Sequence, residues 1–336
     1  MKRQALCLLI ALVAFMPLAF PASPLAAPYY ENKVIKMIVG LEPGGGYDRI
    51  SRLLAKHLPR HIPGKPTVLV ENMPGGNSMI AANHLYNLAK PDGMTIGTFN
   101  RGIPFAQLLK AEGVKFDLLK YSWIGSAAVE ATVLTIRTDL PYRTFDELLK
   151  AKEPIHLAAQ GPATTDYQFP TLLKEYLGLN VKMVIYPSSA AGMLAVERKE
   201  ADGRAGAYSS LKPFIDRGLV RPVIRGRVSE PGIENLPVDL ELTKDKMGKT
   251  LLTMFSATPD LVGRPYVAPP KTPPEIVNTL REAFARVSRD PEVQEEAKKL
   301  KMTVTYVPPE ECVKALNEIL NQPEEIVKEF AKFIKF

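Results

Sequence analysis

The chain has 336 residues, of which 46% are hydrophobic and 24% charged, with 22 Gly, 30 Pro and two Cys. These proportions exclude a disordered tail, a collagen-like rod and a disulfide-stapled miniprotein, and the length predicts two domains of ordinary size. The formal charge of +7 is scattered, there is one Trp, and no basic run is interleaved with aromatics; this argues against nucleic acid as a partner and leaves small anions as suitable ones.

Lys2 and Arg3 precede an apolar run from Ala5 to Phe20, and small residues follow at Ala22, Ser23, Ala26 and Ala27. That layout predicts a cleavable secretory signal over 1–27, because a run of about 16 residues falls short of the ~20 that a spanning helix needs. Removal of Lys2 and Arg3 with it lowers the formal charge to +5. Cys7 leaves with the signal, so Cys312 is alone, forms no internal disulfide and reads as a small core residue. The mature protein is expected to be soluble and periplasmic.

Val34 to Gly40 forms a β-branched run, Pro43-Gly44-Gly45-Gly46-Tyr47-Asp48 follows, and Ile50, Leu53, Leu54 and Leu58 recur at helical spacing. The reading is strand, glycine loop, helix, with amide N–H groups at the positive end of the helix dipole, an arrangement suited to a carboxylate or phosphate. Asp48 is expected to cap the helix, and Gly45 to need a positive φ. The unit repeats: a strand over 68–70, a second glycine loop through Pro74-Gly75-Gly76-Asn77-Ser78, then a helix with Met79, Ala82, Leu85, Tyr86 and Ala89 on one face. A third strand, 95–99, ends in Asn100-Arg101-Gly102. Parallel β-α-β connections bring the three loops to one rim, where Arg101 can hold a carboxylate through two parallel bonds.

The ordered set PGGGYD at 43–48, VENMPGGNS at 70–78 and PDGMTIG at 91–97 resembles the extracytoplasmic solute receptors of tripartite tricarboxylate transporters, the TctC- and Bug-like proteins. GPATTD at 161–166, YPSSAA at 186–191 and the tail beginning at Pro273 extend the likeness through most of the chain. The resemblance implies an α/β, two-lobed type II periplasmic-binding fold, a Venus flytrap in which each lobe is a mixed, mainly parallel sheet flanked by helices. It implies capture of a small organic carboxylate between the lobes and delivery to a membrane permease, by a monomer, without catalysis or cofactor. Carried onto matching positions, it nominates Gly45, Gly46, Tyr47, Asp48, Asn77, Ser78, Thr164, Thr165, Asp166, Ser188, Ser189 and Ala190 as ligand-binding, beside Arg101 and Gly102 of the third loop. Tyr47 replaces a small hydroxyl residue, Arg101 stands in a loop that is usually neutral, and Gly206-Ala207 replaces an acidic or amide pair. Tyr47 with Arg101 suits an aromatic or otherwise planar carboxylate.

Thr132 to Arg137 reads as a strand crossing to the second lobe, with Thr144 capping the next helix. Strands over 155–159 and 181–186 lead into the 161–166 and 187–192 loops, and 201–208 is a short strand whose Arg204 is expected to pair with Asp202 or Glu200. Residues 221–227 return to the first lobe. The division is then 28–128 for the first part of lobe 1, 129–227 for lobe 2, and 228–336 for the rest of lobe 1 with the C-terminal helices, hinged near 127–130 and 226–230. The chain has no G-x-S-x-G, H-E-x-x-H or phosphate-loop pattern. His57 and His61, with Pro59 between them, read as solvated structural residues rather than metal ligands. An exported enzyme would need Asp48 and Asp166 to meet as a base and an acid, and a sensory receptor would hand its liganded form to a membrane kinase.

Overall fold

Alternate residues of Val34–Val39 (β1) serve two cores: Ile35 and Met37 are buried on one side of the strand and Ile38 on the other, as the twofold repeat of a strand covered on both faces requires. The computed structural model describes residues 27–162 and 164–334. Apart from Ala27, the leader expected over 1–27 lies outside the described residues. Among these no helix is long and apolar enough to cross a membrane.

The remaining strands are β2 (Thr67–Asn72), β3 (Thr95–Thr98), β4 (Ser122–Ser126), β5 (Thr132–Arg137), β6 (Ile155–Ala159), β7 (Val181–Ile185), β8 (Gly203–Ala207), β9 (Val220–Arg225) and β10 (Pro265–Ala268). They form two five-stranded sheets of the same plan, β2-β1-β3-β10-β4 and β7-β6-β8-β5-β9. In each sheet the first three strands are parallel and the fourth runs antiparallel to both neighbours. The chain passes from the first sheet to the second between β4 and β5 and returns between β9 and β10. Strands β4 and β10 are not apparent from the sequence. Both are short, and β10 pairs with partners more than 130 residues away across a register shift at Tyr266 and Val267.

On one face of the first sheet Ile50, Leu53 and Leu54 of the helix Gly46–His57 pack with Leu280, Phe284 and Val287. On the other, Ala82 and Leu85 pack with Trp123, Cys312 and Leu316. Cys312 is fully buried, and burial pushes its thiol up to about 12. His57 is buried rather than solvated and bonds Glu296 at 2.8 Å, while His61 bonds Asp290 at 2.9 Å; both fasten the first helix region to the helix Pro291–Lys299. The second sheet buries Leu134, Leu157 and Ala205 on one face and Val133, Ala158 and Val220 on the other. The returning chain does not go wholly to the first sheet. Leu251, Leu252 and Phe255 of the helix Lys246–Leu261, and Phe330 and Ile334 at the C-terminus, share a core with the second sheet and with Phe105 of the helix Ile103–Leu108 after β3.

Candidate functional site

The loops after β1, β3, β6, β7 and β8 open toward the same gap between the sheets, at the strand ends where ligands bind in open α/β sheets. After β1 the left-handed turn falls at Gly44 (φ 83°), whereas Gly45 has φ −76° and serves as the N-cap of the helix Gly46–His57. The expectation that Gly45 itself needs a positive φ is therefore corrected: its tight neighbour is Ser189 of the second lobe, whose Oγ would lie 3.0 Å from a Cβ there. Gly46 is more constrained, since a Cβ would lie 2.3 Å from Ser210 Oγ.

Asp48 organises this loop instead of walling the gap. Its carboxylate accepts from Gly44 N–H at 2.9 Å, Asn72 Nδ2 at 2.9 Å and Arg52 Nε at 3.0 Å. Burial works to raise its pKa, but the bonds from Arg52, Gly44 and Asn72 outweigh it and hold the carboxyl below its ordinary value. The Ser78 hydroxyl donates to Gly40 O at 2.9 Å and accepts Asn100 N–H at 3.0 Å, tying three loop ends together. Gly102 N–H donates to Asn100 Oδ1. Asn77 abuts Gly161 across the gap, 2.7 Å from where a Cβ would stand. Ala190 lines a neighbouring depression beside Gly44 and Phe214. Asp48, Asn77, Ser78, Gly102 and Ala190 thus brace or border the cavity without lining it.

The cavity is narrow, with a volume of about 70 Å³. Gly45, Gly46, Tyr47, Asn100 and Arg101 line it from the first sheet, and Thr164, Thr165, Asp166, Ser188 and Ser189 from the second. Leu41, Glu42, Gln160, Arg204, Gly206, Ala207, Ser210 and Arg264 complete the wall. Ser210 follows β8 as Ser188 follows β7, so the strand-loop-helix rule that found the others reaches it too. Arg264 carries no comparable signal, because its partners lie 55, 134 and 218 residues away in sequence.

Three arginines meet here. Arg101 is 4% exposed. Its Nε donates to Thr165 Oγ1 at 3.0 Å and its Nη2 to Thr132 Oγ1 at 3.4 Å, both neutral hydroxyls on the opposite lobe. No described carboxylate forms an ion pair with it. Arg204 pairs with Asp166 at 2.6 Å rather than with Asp202 or Glu200; Asp202 instead pairs with Arg137 and His156. Asp166 also accepts from the Thr164 hydroxyl and from Gln160 N–H. Arg264 pairs with the buried Glu130 at 2.5 Å, donates to Ser209 Oγ at 3.1 Å and Ser210 Oγ at 3.3 Å, and bonds Gly46 O.

Tyr47 is a brace. Its hydroxyl donates to Gly263 O at 3.1 Å and accepts Arg101 N–H at 2.9 Å, and Arg264 lies over its ring at 5.6 Å. Burial raises its pKa against the pull of Arg101 and Arg264. With the hydroxyl used and Arg264 over the ring, Tyr47 is a fixed part of the cavity wall rather than a free stacking surface.

The two aspartates that an acid–base reaction would need have separate partners, Asp48 at Arg52 and Asp166 at Arg204. Among the described residues no group of three His, Cys, Asp or Glu stands close enough to hold a metal ion. The arrangement is one of fixed donors around a closed gap, which is chemistry for holding an anion.

A family model described as the tripartite tricarboxylate transporter family receptor, TctC, matches residues 50–331. A UPF0065 protein of Bordetella pertussis is 27% identical over 286 residues, 83% of this chain and 84% of its own. The solved periplasmic binding protein BugD is similar with a TM-score of 0.74 at 23% identity, over 91% of this chain and 100% of its own. Rpa4515 of R. palustris, solved with adipate, gives a TM-score of 0.73 at 18% identity, over 90% and 99%. At such identities the two structures speak for the fold, the two-lobed architecture of periplasmic binding proteins.

Proposed function

The chain belongs to the receptor family of the tripartite tricarboxylate transporters, and from that membership we propose that it captures a small organic carboxylate between its lobes and delivers it to a tripartite membrane permease. It is a solute-binding receptor of a periplasmic family; the ligand's chemistry, the permease and export through a cleaved leader are parts of the proposal. So is the division into lobes, 28–128 with 228–336 against 129–227, hinged at the two crossings between the sheets.

The observation that carries the reading is Arg101. A buried cation without an ionic partner is costly, and this one lines a gap at which helices of both lobes begin, at Gly46, Thr165 and Ser189. The first N–H groups of a helix have no acceptor within it and favour negative charge. A carboxylate seated on Arg101 offsets the buried charge and joins the lobes, because the guanidinium already bonds Thr165 and Thr132 of the second lobe. The adipate in a structural neighbour supports an organic acid of that size. A thermal-shift screen over carboxylates tests the proposal: a ligand at a hundred times its Kd should stabilise the fold by about 2.7 kcal/mol. A melt moved only by neutral or cationic solutes would reject it.

A further inference from the structure

We infer that the cleft reads one negative charge, so that a monocarboxylate with an uncharged polar remainder is preferred over di- and tricarboxylates. The inference rests on the carboxylate reading above and goes beyond it by fixing the ligand's charge.

Of the three arginines in the cavity, two are already neutralised inside the protein. Arg204 and Asp166 meet at 2.6 Å with side chains 8% and 2% exposed, and Asp166 takes further bonds from Thr164 and Gln160. Arg264 and Glu130 meet at 2.5 Å, both 2% exposed, and Ser209 donates to the second oxygen of Glu130 at 3.0 Å. A buried pair whose carboxylate oxygens are hydrogen-bonded needs no counter-ion from outside. The Arg101 guanidinium bonds two hydroxyls and, although Glu230 is near enough to feel its charge, it is the one arginine of the three with no described carboxylate in contact.

The helix starts do not supply a second one in full. Asp48 occupies the first turn of the helix at Gly46 and Asp166 that of the helix at Thr165, so each places a carboxylate on the positive end of its helix. Of the three, the helix at Ser189 alone begins without an acid. Glu42, in the wall of the same cavity, opposes any further anionic group. What remains around the gap is neutral, with hydroxyls at Ser188, Ser189 and Ser210 and the amide of Gln160, partners for a hydroxyl, keto or amide group.

The test compares chain-matched pairs that differ in charge alone, adipate against its monoamide and malate against its monoamide, by titration calorimetry at pH 7.5 on the purified protein. The monoamide should bind at least about tenfold tighter than the diacid in each pair that binds, a factor that corresponds to one lost charge-assisted bond. Asp166→Asn releases Arg204, and the preference should move toward the diacid by about tenfold or more. Wild-type protein that holds the diacid as tightly as the monoamide overturns the inference without recourse to any variant, while leaving the carboxylate reading intact. A wild-type preference that Asp166→Asn, folded, leaves unchanged overturns it as well, because the preference then does not come from the quenching of Arg204. Where neither pair binds, a carboxylate that moves the melt in the screen and its monoamide take their place in the same comparison, and a melt that no carboxylate moves removes the carboxylate reading and this inference with it.

Discussion

Arg101 and Arg264 are both buried arginines in one cavity, yet their surroundings give them opposite thermodynamic roles. Arg264 is held by the Glu130 carboxylate, two serine hydroxyls and a backbone carbonyl. Arg264→Met would strand Glu130, 1% exposed, as an unpaired buried anion, and should destabilise the fold by about 3–5 kcal/mol. Arg101→Met breaks no ion pair, and the one acid that feels its charge, Glu230, keeps its bond from Ala131 N–H. The substitution should leave the ligand-free melting temperature unchanged or higher, while weakening carboxylate binding by about 1.5–3 kcal/mol, the range for hydrogen bonds to charged groups. Calorimetry and thermal melts on the two variants check both halves. Equal losses of stability would assign Arg101 a purely structural role.

At the scale of elements, the crossings between the sheets carry a titratable group. Glu230 follows β9 and accepts Ala131 N–H, just before β5, at 3.1 Å. Burial and the neighbouring Glu130 push its pKa up from 4.5 to about 7, against the Ala131 bond and the pull of Arg264 and Arg101. The folded state therefore binds this proton more tightly than the unfolded chain does. Stability contributed by the group is full below about pH 4.5 and declines as pH rises through about 7. Glu230→Gln should flatten the wild-type decline between those values and give the more stable protein above pH 7, as chemical denaturation at a series of pH values would record. A decline of equal slope in both proteins would mean that other groups govern it.

The bounds of β5 and β6 match their sequence reading, because each is a β-branched or apolar run closed by turn residues, and the loops after β1, β3, β6 and β7 are legible for the same local reason. Thr144 caps its helix as its position predicts, accepting Glu147 N–H. Strands β4 and β10, the packing of the helix Lys246–Leu261 on the second core, and the site role of Arg264 are not legible. Each depends on contacts between segments far apart in the chain, and pairings of that kind leave no periodic trace in a single sequence. Arg204 shows the limit from the other side: it forms an ion pair as expected, but its partner, Asp166, sits 38 residues away at a helix start rather than two residues away in the same strand.

For the whole molecule, two sheets of one plan face a shared gap with little room to spare. The lobes touch where Gly46 faces Ser210, with Arg264 of its own lobe beside it, and where Gly161 faces Asn77. Gly46→Ala places a methyl 2.3 Å from Ser210 Oγ and 2.9 Å from the Arg264 guanidinium. It should weaken binding by about 1–3 kcal/mol, the usual cost of overpacking. Adding Ser210→Ala should recover part of that loss in calorimetric titrations, whereas no recovery would locate the damage within the first loop. The Lys301–Asp216 bridge, 2.5 Å long, also joins the lobes, but it is half-exposed and contributes little.

The most direct measurement is a crystal structure of the protein with a carboxylate that stabilises it in solution. Carboxylate oxygens should lie about 2.7–2.9 Å from the Arg101 guanidinium, with the Arg204–Asp166 and Arg264–Glu130 pairs unbroken and the uncharged end of the ligand toward Ser188, Ser189 and Ser210. A ligand whose carboxylate sits elsewhere in the cleft, with Arg101 left facing water or an apolar group, would contradict this placement.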